Sequence, residues 1–246
     1  MGKTSRTTRD SQSAFIEETH ADPIIKLVSD KMHKEAAMPT KYGEVLQLTK
    51  YSQHQKYEFH FDSSMEVGRL VTVLVFLEDI PEGYGGETVF PHARVKPSQR
   101  EKVSSITGIT LPPVGDPSWD DSRLPEVGTT HNFEQPSMQQ FCDHPRVLRF
   151  RPRQGDALMV SDTASFPISL DICIIRFVVS ICNTYLSQWF NHDPELLLDP
   201  STVHGGCPIK ADSQGYAPNK TIAQRWIRYY RGTNEFVGVL KDCGVL

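Results

Sequence analysis

His60 and Asp62, in Gln55-Lys56-Tyr57-Glu58-Phe59-His60-Phe61-Asp62, and His204, far downstream in Val-His-Gly-Gly-Cys-Pro, are the residues best equipped for chemistry. Two imidazoles and one carboxylate on one side of a metal ion leave its other positions open. That donor set suits non-haem Fe(II) and oxygen chemistry. On a regular strand, residues two positions apart project from the same face. His60 and Asp62 would then deliver a nitrogen and an oxygen to one ion, with Phe61 turned into a core. Taken singly, each has an ordinary use. His-x-Asp triplets arise by chance, and His204, beside a Gly-Gly turn that permits close backbone approach, reads equally as a polar loop histidine.

Lys220 opens Lys-Thr-Ile-Ala-Gln-Arg-Trp-Ile. Alternation with apolar residues would point its ammonium inward, where a charge is costly unless it meets an anion. An acidic cosubstrate is the partner this predicts; on an edge strand the same lysine would simply be solvated.

The elements that must position these groups are mostly strands. Residues 1–13 read as a polar arm, and 14–38 as a helix packed on a sheet, with Asp22-Pro23 as its start. From Gly43 the period becomes two: Val45, Leu46 and Leu48, then Tyr57, Phe59 and Phe61, alternate with polar residues. The run 69–77 (RLVTVLVFL) is expected to be buried on both faces. A turn over 81–86 leads to a short strand at 87–90, and 147–150 followed by 152–159 reads as strand, turn, strand. The last strand covers 221–230 with Trp226. Residues 93–140 are an irregular insertion, long enough to be functional or disordered. Short strands separated by turns predict a sandwich or jelly-roll barrel with one or two helices outside.

With 246 residues the chain can bury one sizeable core, and a net charge of −4 argues against a general nucleic-acid binder. Cys142, Cys173, Cys182, Cys207 and Cys243 show no zinc-site spacing. Their odd number leaves at least one thiol unpaired in a monomer. A secretory chain would allow one or two disulfides, whose pairing the spacing leaves open. The polar start lacks the apolar stretch of a signal peptide. The most apolar run, 172–181, carries Arg176 and is too short to span a bilayer, so no membrane segment is expected.

Taken together, the segments resemble the prolyl 4-hydroxylase family of Fe(II)/2-oxoglutarate dioxygenases, in order, over most of the chain. The resemblance runs through Arg6-Thr7-Thr8, Leu46-Gln47-Leu48-Thr49-Lys50-Tyr51, and the segment ending His60-Phe61-Asp62, with Phe59 where Pro is usual. It continues through Thr72-Val73-Leu74, Gly85-Gly86-Glu87-Thr88-Val89-Phe90-Pro91, residues 152–158, Leu198-Asp199-Pro200-Ser201 and His204-Gly205-Gly206-Cys207-Pro208. It implies a mainly β fold with flanking helices around a double-stranded β-helix (jelly-roll, cupin-like) core, as one domain spanning 1–246. It implies His60, Asp62 and His204 as iron ligands, and Lys220 paired with the far carboxylate of 2-oxoglutarate. Tyr51 and Thr88 would add hydroxyl donors to that cosubstrate and Trp226 would wall its pocket, while Tyr57 and Arg69 would contact the peptide. The implied reaction hydroxylates peptidyl proline at C4 and releases succinate and CO2, with ascorbate keeping the iron ferrous. The partner is a proline-containing peptide or protein, and the family works mostly in the endoplasmic reticulum or Golgi.

The chain departs from the family pattern in three places. The family domain usually begins further upstream, so an N-terminally shortened domain is expected, its missing start a place for a signal or anchor. Residues 160–188 separate Gly155-Asp156-Ala157-Leu158-Met159 from Trp189-Phe190 and resemble nothing in the family; an in-frame retained intron or a gene-model error is favoured over a tolerated surface insertion. The stretch between Pro208 and Lys220 is longer than usual, which makes Lys210 a rival to Lys220. The alternative functions are a catalytically impaired fragment keeping a peptide-binding groove, and a cupin-like hydrolase or isomerase that needs no Lys220.

Overall fold

The computed structural model describes residues 9–17, 22–36, 38–62, 69–91, 138–144, 147–160, 172–174 and 203–228. Their strands are β1 (Gln12–Ile16), β2 (Leu46–Tyr51), β3 (Tyr57–His60), β4 (Arg69–Phe76), β5 (Thr88–Phe90), β6 (Leu148–Phe150), β7 (Ala157–Val160), β8 (Ile172–Ile174), β9 (His204–Gly206) and β10 (Lys220–Arg228). The helices are α1 (Pro23–Glu35), a 3-10 turn at Thr40–Tyr42 and α2 (Met138–Cys142). No described helix is long and apolar enough to cross a membrane.

Two antiparallel sheets form, ordered β1-β2-β10-β4-β7-β8 and β3-β9-β5-β6. Without edge strands β1 and β8, successive strands alternate between the sheets except for the paired β5 and β6, and late strands β9 and β10 insert beside early ones. That is the double-stranded β-helix. Its inner core joins both sheets, with Leu74, Phe76, Leu158 and Ile222 from one meeting Phe90, Leu148 and Phe150 from the other. The β-branched run of β4 sits in mid-sheet between β10 and β7, where both faces are covered.

α1 seals the outer face of the six-stranded sheet, packing Met32 with Leu46, Val71, Val73, Ala223 and Ile227. Asp22 caps it by accepting from Ile24 N at 2.8 Å, Pro23 fits the first turn, and His33 and Lys34 sit at the electronegative end. Buried His33 also stitches it to β10: Arg225 Nε donates to His33 Nε2 at 3.1 Å, so Nδ1 carries the proton that goes to Met38 O at 3.1 Å. On the other side, α2 packs Met138 and Phe141 against Phe59 and Val89.

The helix expected over 14–38 is shorter. Residues 12–16 pair with β2 instead, because an open sheet edge offers a ladder that a short, uncapped segment cannot supply for itself. The polar arm accordingly ends in structure: Arg9 donates to Thr49 Oγ1 at 2.6 Å, and its guanidinium lies 5.1 Å from the Tyr57 ring centroid. Of the 93–140 insertion, residues 93–137 lie outside the described residues, and its end forms α2. Most of the atypical 160–188 segment also lies outside them, but its strand β8 pairs with β7, Leu158 opposite Ile174.

Candidate metal centre

His60 closes β3, and His204 opens β9 rather than sitting in a loop. The register sets these two residues directly opposite each other. Antiparallel partners on one face are close neighbours, and the two ring centroids lie 4.5 Å apart. Asp62 follows just past the end of β3 and turns back beneath them. Its Oδ1 is 3.6 Å from His60 Nε2 and its Oδ2 3.4 Å from His204 Nε2. The three donor atoms all fall within 4.8 Å of one another. Aromatic rings brace both imidazoles: Tyr57 stacks on His60 at 3.6 Å and Phe90 on His204 at 5.4 Å.

Protonation follows from these contacts. His60 Nδ1 lies 2.8 Å from Glu58 O, an atom that only accepts, so Nδ1 carries the hydrogen and Nε2 keeps its lone pair toward Asp62. Burial pushes the His60 pKa down, and the His204 ring pushes it further, which favours the neutral ligand form. Burial alone would raise the Asp62 carboxyl, but the neighbouring His204, together with a hydrogen bond from Thr72, outweighs it and holds it well below the usual carboxylate range. Asp62 Oδ2 is buried without a hydrogen-bond donor. A charged oxygen left so is costly. Two imidazole nitrogens and that oxygen are a donor set that a divalent ion would satisfy, so the residues fit a metal.

The same cavity is lined by Tyr51, Tyr57, Thr88 and Lys220 as well as His60 and His204. Lys220 pairs across the ladder with Tyr51, which turns its ammonium between the sheets. It is 4% exposed. Nζ donates to Gly86 O at 2.8 Å and Thr88 Oγ1 at 3.3 Å, neither of them charged. Burial brings its pKa down from 10.5 to about 8. Burial raises the Tyr51 pKa, and pushes Tyr57 up to about 12 with help from Asp62, so both hydroxyls stay protonated donors. The rival Lys210 faces outward and pairs with exposed Asp143 at 3.0 Å.

Two of the expected residues make contacts that the sequence did not predict. Trp226 is not among the residues lining the cavity; its Nε1 donates instead to Asp62 Oδ1 at 3.2 Å, because β10 carries it to the flank of the carboxylate. Arg69, expected at a peptide, is clamped by Glu44 through bonds of 2.6 and 3.0 Å and donates to Asp62 O at 3.1 Å. Glu44 escaped the sequence reading, since one acidic residue ahead of a strand carries no local signal. A disulfide, whose pairing the spacing left open, joins Cys207, just beyond β9, to Cys142 of α2.

No family model matches the chain. Among curated proteins, probable prolyl 4-hydroxylase 4 of Arabidopsis thaliana is 26% identical over 226 residues, covering 89% of this chain and 52% of that protein. Prolyl 4-hydroxylase 5 of the same plant is 25% identical over 93% of this chain and 56% of its own length. This chain is a relative of the prolyl 4-hydroxylases. It spans about half the length of the curated prolyl 4-hydroxylases it matches. Among solved structures, viral collagen prolyl hydroxylase vCPH from Paramecium Bursaria Chlorella virus-1, in a 2OG complex, is 17% identical with a TM-score of 0.46, covering 89% of this chain and 79% of its own.

Proposed function

We propose that the chain carries the Fe(II)- and 2-oxoglutarate-dependent catalytic domain of a peptidyl-proline 4-hydroxylase. The observation that carries this reading is the convergence of His60, Asp62 and His204, whose two histidines line one cavity with a buried ammonium, Lys220. His60 Nε2, His204 Nε2 and Asp62 would hold the iron on one side, leaving positions for other ligands. The ammonium of Lys220 and the hydroxyls of Thr88 and Tyr51 would receive the far carboxylate of 2-oxoglutarate, a charge-assisted contact in a water-poor place. With the bound iron and cosubstrate supplying the oxidation, one oxygen atom of O2 would end in succinate and the other on proline C4. The protein's own work is positional. Stacked Tyr57 and Phe90 keep the imidazoles from turning, Leu74 and Ile222 exclude water from the cavity, and the Tyr57 hydroxyl would contact the peptide.

The similarity to prolyl 4-hydroxylases argues for a proline-containing peptide as the substrate class. The test combines purified protein, Fe(II), 2-oxoglutarate, ascorbate and a panel of proline-rich peptides. The expected result is stoichiometric succinate and a mass gain of one oxygen on proline, both abolished in Asp62→Asn. Peptide binding without succinate would leave the impaired-fragment alternative in its place.

A further inference from the structure

Asp62 is held by two groups that also hold each other. The Trp226 indole donates to Oδ1 at 3.2 Å, and Arg69 Nη1 donates to the Asp62 main-chain carbonyl at 3.1 Å. The Arg69 guanidinium lies 3.9 Å from the Trp226 ring centroid, a cation–π contact that fixes the tilt of the indole. Glu44 closes the assembly. It grips Arg69 with both oxygens, pairs with Arg228 at 2.6 Å, and donates its own N–H to Trp226 O at 2.7 Å.

The consequence falls on the two oxygens of Asp62. Oδ1 is engaged by the indole, whereas Oδ2 is buried, lacks a donor and faces His204 Nε2 at 3.4 Å. Turning the carboxylate away from this orientation would break the indole bond and leave a buried N–H unpaired, which is unfavourable. We propose that Trp226 is the positioning residue of the metal centre: it holds Asp62 so that Oδ2 meets the ion, and Glu44 acts on it from a distance through Arg69. This rests on the metal reading above and adds to it the assembly that orients the carboxylate. Partners of this kind typically change metal affinity by roughly 10–100-fold when removed.

The test titrates metal-free protein with Co(II), read by its visible absorption, in wild type, Asp62→Asn, Trp226→Phe, Glu44→Gln and the double variant Glu44→Gln/Trp226→Phe. Thermal unfolding without metal is followed in parallel. Trp226→Phe, which keeps a ring for Arg69 but removes the N–H, should weaken Co(II) roughly 10–100-fold. Glu44→Gln should weaken it several-fold, and should add nothing in the Trp226→Phe background. A merely structural role would lower the melting temperature without moving the Co(II) affinity. If wild type binds no Co(II), the metal reading itself fails. If wild type binds and Asp62→Asn does not, but Trp226→Phe binds as wild type does, the metal centre stands and the positioning role is overturned. Additive losses in the double variant overturn the route through Trp226. Should Trp226→Phe not fold, Glu44→Gln decides: several-fold weaker Co(II) binding supports the assembly, and unchanged binding overturns it.

Discussion

Replacing Lys220 by Met keeps the aliphatic stem and removes the ammonium. Burial brings the Lys220 pKa from 10.5 to about 8, a free-energy cost of about 3 kcal/mol for the charge in the ligand-free protein. The folded chain therefore holds this proton less tightly than the unfolded one. The cost is fully present below pH 8, and stability should rise as pH climbs from about 8 to 10.5. A dicarboxylate arriving beside the ammonium reverses the balance, because an opposite charge favours the protonated form. Binding of 2-oxoglutarate should then be coupled to a proton above pH 8. At pH 9 only about a tenth of the ligand-free protein would carry the charge, so affinity should fall about tenfold from its value at pH 7. Lys220→Met should bind roughly 10–100-fold more weakly at pH 7, from the ~1.5–3 kcal/mol of a hydrogen bond to a charged group, and should show no such fall. Calorimetric titration of 2-oxoglutarate into Mn(II)-loaded protein at both pH values measures this directly. Equal wild-type affinity at pH 7 and 9, or Lys220→Met binding as tightly as wild type, would refute the reasoning.

Two other perturbations probe how the site is held. The Cys142–Cys207 disulfide spans a sequence separation of 65, and the loop entropy it removes from the unfolded chain is worth about 4 kcal/mol. Reduction should lower the melting temperature markedly and weaken Mn(II) binding, because Cys207 anchors the end of the His204 strand; an unchanged metal affinity after reduction would dissociate the two. A Cβ at Gly205 would meet the flexible tip of Met138, but also Phe59 Cδ1 and Tyr57 O at 3.1 Å. Gly205→Ala should therefore push β9 from β3, cost about 1–3 kcal/mol, and weaken Co(II) binding in proportion to the displacement of His204. Stability equal to wild type in denaturant melts would count against that packing.

Much of the barrel was legible because its strands obey local rules. The β-branched run at 69–77 and the last strand bearing Lys220 and Trp226 emerged nearly where expected. Asp22-Pro23 marked the start of α1 because capping is a local event. β1 was misread, its start as polar arm and its end as helix, because its regularity comes from β2, a partner that follows it in the chain. The disulfide and the Glu44 clamp were invisible for the same reason: each joins segments whose nearness depends on how the sheets close.

The sequence by itself determined the donors: two histidines, one aspartate and an inward-facing lysine among strand-forming residues. Only the tertiary structure decided how they meet. Antiparallel register sets His60 across from His204, and the approach of β10 gives Trp226 to Asp62. Side-chain type is written residue by residue, whereas the pairing of distant strands is set by the burial of both sheets against one another, a property of the whole chain.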